Sequence, residues 1–324
     1  MAQQTGATTK LVYDTETTYK TNPGTPDGML LPFVSESISL ERNFVSSKTI
    51  RSSRQPQMPV RARINVAGDL NWELGPEEGR LFKHIFGSAV KTGGAAPYTW
   101  TYKIATLPVG MLLEKQFPDL DTAKYFVYNG LKVNSFRLRG KADGFIDASV
   151  SLIGAKETIN AAVYDATVTD LGHTPFDGFE VIVSQGGSPL TEIVTELELA
   201  LENNLDDSIY AIGGAGQRSA LREGIAHVTG KLTAFFANDT LYALAVAGTE
   251  TTLKIECTHG NGTGNPAGNE KLSFLFDEMK FFPKSPVISG PTGLLVELGF
   301  EAYYRVDADA SACYAVLLTP TAAF

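Results

Sequence analysis

Along residues 194–205, Leu197, Leu199 and Leu201 alternate with Glu196, Glu198, Ala200 and Glu202. Side chains of an extended chain point to opposite faces in turn, so this stretch predicts a half-buried strand with one leucine face and one acidic face. Asn203-Asn204 follows, and asparagine tolerates turn geometries that β-branched residues resist, so the chain is expected to leave the sheet there. A long, glycine-rich excursion comes next.

The same device occurs half a chain earlier. Ile38 and Leu40 alternate with Ser37, Ser39 and Glu41, and Arg42-Asn43-Phe44 stands where Asn203-Asn204-Leu205 stands later. Beyond each excursion lies a longer alternating run. In the first, Ile64, Val66, Gly68, Leu70, Trp72 and Leu74 share a face; in the second, Ala226, Val228, Gly230, Leu232, Ala234 and Phe236 do, with glycine third in both rows. A helix is predicted after each. Pro76 suits a first helical position, Glu77 and Glu78 suit the positive N-terminal end, and Leu81, Phe82, Ile85 and Phe86 keep helical spacing before Gly87. In the second copy Asn238 or Asp239 caps a narrower stripe of Leu241, Leu244 and Ala245 that ends at Gly248. Closing strands are expected at Ile146, Ala148, Val150 and Leu152, matched by Leu294, Val296, Leu298 and Phe300. Recurrence of strand, excursion, long strand, helix and closing strand predicts an internal duplication, with a first domain at 1–170 and a second at 171–324.

Residues 126–139 form a further predicted strand, and residues 176–183 form another that feeds a hairpin turn at Gln185-Gly186-Gly187-Ser188. Residues 2–30, rich in Thr, Gly and Pro, read as an arm or loop that orders against a neighbour. Residues 91–102 read as a loop entering a short strand, and residues 107–121 as irregular.

With 324 residues, 43% of them hydrophobic, the chain is long enough for two domains that each bury a core. A formal net charge of −9 argues against a protein that coats nucleic acid. Two cysteines, Cys257 and Cys313, are too few for a disulfide framework and point to a reducing compartment. The start lacks the charged and apolar segments of a secretion signal, and no run reaches the ~18 apolar residues of a membrane span. Charge is unevenly placed. Residues 42–63 carry Arg42, Lys48, Arg51, Arg54, Arg61 and Arg63 and no acid, whereas the matching residues 203–224 carry Asp206, Asp207 and Glu223 against Arg218 and Arg222. Excursions of opposite sign are expected where unlike repeats of different copies meet.

No catalytic, cofactor or metal constellation is expected. His84, His173, His227 and His259 are scattered without ligand spacing, and Cys257-Thr258-His259 has no second pair. Asp307-Ala308-Asp309 opens like a calcium loop but has Ala312 at the sixth position and Leu318 at the twelfth, so it reads as a turn. Gly260, Gly262, Gly264 and Gly268 lack a following amphipathic helix, and no nucleophile elbow or phosphate-loop lysine occurs.

The order of these elements resembles the major tail tube proteins of long-tailed, non-contractile bacteriophages. The likeness is carried by residues 176–212, by the long strand around Gly230, by the short helix after it, and by the closing strand ending Glu297-Leu298-Gly299-Phe300-Glu301-Ala302. The first copy departs from it, with Glu41-Arg42-Asn43-Phe44 where the second has Glu202-Asn203-Asn204-Leu205. The resemblance implies a mainly β protein with short helices, made of two tandem β-sandwich or barrel domains, each with a flanking helix and a long hairpin. It further implies a structural virion protein, made in the bacterial cytoplasm, whose rings stack into a hollow tube for the genome and meet other tail proteins at the tube ends. A duplicated chain would then close a ring with three copies. Glu196, Glu198 and Glu202 are candidates to face the lumen and repel passing DNA; the six basic residues and Asp206, Asp207 and Glu223 are candidates for contacts between chains. The rival reading is a tandem β-sandwich binding protein or adhesin of a virion or cell surface.

Overall fold

The alternating runs become strands because each can bury one face and solvate the other. A computed structural model describes residues 4–190, 193–236, 238–288, 293–304 and 311–324; the expected turn at Asp307 and Asp309 lies outside them. In chain order the first part comprises β1 (Lys10–Glu16), β2 (Met29–Leu30), β3 (Ser35–Glu36), β4 (Ser39–Val45), β5 (Val60–Glu73), α1 (Gly79–Phe86), β6 (Val90–Thr92), β7 (Tyr98–Lys103), β8 (Gly110–Phe117), β9 (Lys124–Lys141), β10 (Asp147–Gly154) and β11 (Lys156–Asn160). The second comprises β12 (Val181–Gln185), β13 (Ser188–Pro189), β14 (Val194–Glu202), β15 (His227–Phe235), α2 (Thr240–Ala247), β16 (Thr251–Thr258), β17 (Lys271–Phe282), β18 (Leu295–Ala302) and β19 (Tyr314–Thr319). The protein is mainly β with two short α-helices, as its patterning predicts.

A central antiparallel sheet runs β4-β5-β10-β9-β14-β15-β18-β17 and crosses both parts of the chain. Only the C-terminal portions of β9 and β17 belong to it. Their N-terminal portions join two side sheets, β2-β1-β8-β9-β11 and β13-β12-β16-β17-β19-β7-β6. The pairings of β1, β4, β5, β8, β9, β10 and β11 therefore recur, in the same order, among β12, β14, β15, β16, β17, β18 and β19. Hairpin β6–β7 lies outside that correspondence and docks on β19.

One apolar core runs through the chain. Leu197, Leu199 and Leu201 are all buried, each contributing about 1.5–3 kcal/mol of transfer free energy. The glycines that stand third in the two long rows have different tertiary reasons. A Cβ on Gly68 would lie 2.4 Å from the Ile38 Cα, where the chain entering β4 crosses, and one on Gly230 would lie 2.2 Å from the Phe300 ring. α1 ends at Gly87, whose φ of 101° suits glycine, and α2 at left-handed Gly248 with φ 60°. Asn238 Oδ1 accepts the Thr240 N–H at 3.0 Å at the start of α2.

Three readings of the sequence need correction. Residues 10–16 are not part of a free arm: β1 is almost wholly buried and pairs with β8 along its length. Residues 110–117 are not irregular but form β8, buried on both faces. A strand covered on both sides has no reason to alternate, so Glu114, Lys115 and Gln116 broke the pattern that sequence reading relies on. In residues 91–102 the expected short strand is β7, but the residues before it are not all loop, because β6 pairs with β7 as a hairpin.

Candidate assembly and channel surface

The solvent side of the central sheet is hollowed, and its concave floor carries polar and charged side chains among apolar ones. Asn71, Asp147, Ser149, Arg137, Arg139, Glu198, Ala200, Thr229 and Lys231 line it, drawn from β5, β10, β9, β14 and β15. Period-two alternation puts them opposite the core, so one strand pattern builds both surfaces.

Glu196, Glu198 and Glu202 lie on this open side, as their alternation predicts, but not as an unopposed acidic stripe. Arg139 Nε lies 3.1 Å from Glu198 Oε1, Lys141 Nζ 3.6 Å from Glu196 Oε1, and an Arg137 guanidinium nitrogen 3.7 Å from Glu202 Oε1. Next along the sheet, Lys231 reaches Glu297 at 3.2 Å and His227 reaches Glu301 at 2.9 Å. Hydrogen bonds from Lys284, then Lys231, hold the Glu297 carboxyl below its usual range. Half-exposed pairs of this kind each contribute about 0–1 kcal/mol, so the ladder makes the face locally balanced in charge more than it stabilises the fold. Arg137, Arg139 and Lys141 were missed as site residues. Arg137 and Arg139 alternate with Phe136 and Leu138, a signal that was legible; the matching of each to a glutamate depends on the register of β9 with β14.

The second excursion, residues 203–224, folds back over the first part of the same chain. Arg218, 2% exposed, donates to the carbonyls of Gly154 (2.7 Å), Val66 (3.2 Å) and Asp207 (2.9 Å) and to Asn65 Oδ1 (2.5 Å). Ile64 N–H donates to the Gly216 carbonyl at 2.8 Å, and the Tyr210 hydroxyl to the Ile64 carbonyl at 3.0 Å. The expected contact acids are engaged inside the chain. Asp207 lies 3.5 Å from Arg218, Glu223 lies 2.8 Å from Lys132, and Asp206 accepts from Ser208 N–H and Oγ. Lys132 offsets the burial of Glu223 and leaves that carboxyl below its usual range.

The first excursion behaves differently. Lys48, Arg51 and Arg54 are exposed, as are Ile50 and Met58, and none of Arg42, Lys48, Arg51, Arg54, Arg61 and Arg63 forms an ion pair among the described residues. Arg42, Arg61 and Arg63 line a hollow with Tyr210, Ile212 and Gly216, and the Arg63 guanidinium lies 4.8 Å from the Tyr210 ring centroid. The C-terminal segment packs on its own chain: β19 pairs with β17 and β7, Trp100 Nε1 donates to the Thr321 carbonyl at 3.1 Å, and Phe324 packs edge-on to Trp100 at 5.4 Å.

At the two ends of the central sheet, β4 pairs only with β5, and the last residues of β17 pair only with β18 among the described residues. Such edges present unpaired backbone groups that template another strand. Phe44, Val45 and Val60 are exposed at one end, and Phe282, Val287 and Ile288 at the other. The phage tail tube protein family matches residues 6–302. The chain belongs to that family. No curated protein matches it. A phage tail tube protein is a structural component of the virion. No helix among the described residues of this tail tube protein is long and apolar enough to cross a membrane.

Proposed function

We propose that the chain is an internally duplicated subunit of a siphophage-type tail tube, with the boundary at residue 170, and that three copies close one ring of pseudo-sixfold symmetry. Rings stack in the host cytoplasm into a hollow tube that meets other tail proteins at its ends and passes the genome. The role is structural, without catalysis.

The observation that carries this reading is the junction of β9 with β14. There the outermost central-sheet strand of one unit accepts the outermost central-sheet strand of the next as a continuous sheet, with Glu202 opposite Ser135 and Leu199 opposite Leu138. By the correspondence of pairings, β4 stands for β14 and the end of β17 stands for the end of β9. The end of one chain's β17 thus offers to β4 of the next copy what β9 offers to β14. Residues 283–288, which follow β17, take the place of 136–141 and have no strand partner among the described residues. The second excursion lies across the internal junction; the first, basic and exposed, is left to lie on a neighbouring copy.

In this arrangement the concave floor lines the lumen. Its paired charges leave no free cationic row to hold phosphates, and Glu196, Glu198 and Glu202 keep Arg137, Arg139 and Lys141 occupied. Electron microscopy of the purified protein tests the reading through the rotational symmetry of tube cross-sections. Threefold symmetry with pseudo-sixfold features is expected; six whole chains per ring, or monomers at every concentration, overturn it.

A further inference from the structure

Two carboxylate oxygens near the start of α1 are buried and have no hydrogen-bond partner: Glu77 Oε2 and Glu78 Oε1. Glu78 is 2% exposed, and its other oxygen accepts the Gly75 N–H at 3.0 Å. Glu77 Oε1 accepts from the Thr174 N–H at 3.1 Å and from the Thr174 hydroxyl. Each carboxylate is thus fixed by one oxygen and left open at the other. His173, in the segment connecting the two parts of the chain, brings Nδ1 to 3.9 Å from Glu78 Oε1, too far for a hydrogen bond. One ligand atom each from Glu77, Glu78 and His173 fall within 4.8 Å of one another.

Two orphaned acceptors facing one another in a buried place are satisfied by a proton shared between them or by a cation. We propose that Glu77, Glu78 and His173 bind a divalent cation of the zinc class, completed by water. Metal–ligand bonds of roughly 2.0–2.2 Å with a small inward movement of the ligands would satisfy all three atoms together. One imidazole and two carboxylates suit a borderline transition ion better than calcium or magnesium, which take oxygen donors alone. The outer shell is present as well. His173 Nε2 lies 3.5 Å from Glu73 Oε2, the placement by which a second carboxylate orients a ligating imidazole. The bound ion would tie the start of α1 to the connecting segment, and the 94 residues between Glu78 and His173 are why no ligand spacing is visible in the sequence.

The test is zinc titration of the full chain by calorimetry, with thermal unfolding in parallel and calcium and magnesium as controls. Expected are one zinc per chain, a midpoint raised by several degrees with zinc alone, and tetrahedral d–d absorption on cobalt substitution. Glu78→Gln keeps an acceptor for the Gly75 N–H and so folds; it and His173→Ala abolish both responses, while Glu73→Gln weakens zinc binding roughly 10–100-fold. Absence of saturable binding overturns the proposal, as does zinc binding unchanged in Glu78→Gln and His173→Ala, which would mark an adventitious ion only.

Discussion

The guanidinium of Arg218 donates to the Gly154 carbonyl at 2.7 Å, across 64 residues of sequence, and joins the excursion of the second unit to a closing strand of the first. Because Arg218 also serves Val66, Asp207 and Asn65 while buried, it is a principal anchor of that excursion, beside Tyr210 and Glu223. Arg218→Met would leave those acceptors without donors at about 1–3 kcal/mol each if they stay dry. Urea unfolding of the unassembled chain should show a loss of about 3 kcal/mol, and Arg218→Lys should recover only part of it, because an ammonium cannot span the same acceptors. A loss under about 0.5 kcal/mol would show that the excursion is seated by other contacts.

Superposing the external junction on the internal one places Glu41 where Glu202 stands and Phe282 where Ser135 stands. The pair Glu41→Cys and Phe282→Cys should therefore cross-link neighbouring chains in assembled tubes by disulfide or a short bismaleimide. Native Cys257 and Cys313 are buried and do not compete. Under denaturing electrophoresis the ladder should stop at a covalent trimer. A ladder reaching six would refute three chains per ring, and no cross-link would refute the register.

Replacing Glu196, Glu198 and Glu202 together by Gln should leave the fold nearly unchanged, since half-exposed pairs contribute about 0–1 kcal/mol each. It should free Arg137, Arg139 and Lys141 to bind phosphates in the channel. Virions carrying the triple variant are expected to assemble tubes and to release DNA more slowly, with the defect fading as salt screens the charges. Normal release at low salt would remove these glutamates from the lumen.

His84 provides a pH signature. Burial, reinforced by Lys83 and Arg80, lowers its pKa to about 3, and the neutral ring meets Thr15 Oγ1 at 2.9 Å. An unfolded histidine takes a proton near pH 6.5, so below that pH the unfolded chain binds a proton that the folded chain refuses. Its contribution to stability is intact above about pH 6.5 and is lost as pH falls toward 3. Comparing wild type with His84→Gln should expose a difference that grows by about 2–3 kcal/mol between pH 6.5 and pH 4. A difference independent of pH would mean that His84 is protonated in the fold.

Sequence patterning determined the strands that bury one face. Leu197, Leu199 and Leu201, the row from Ile64 to Leu74, and the helix closed by Gly87 could be read directly, because alternation and helical spacing are local consequences of backbone geometry. The glutamate face of β14 was equally legible, and so was the order of elements that places the chain among tail tube proteins. Only the tertiary structure could decide what meets what. β8, covered on both sides, has no alternation to reveal it; Glu198 finds Arg139, and Arg218 finds Gly154, through strand registers and loop returns. Those pairings arise between residues far apart in the chain, whose approach is set by how whole sheets pack, a constraint that no local run of residues contains.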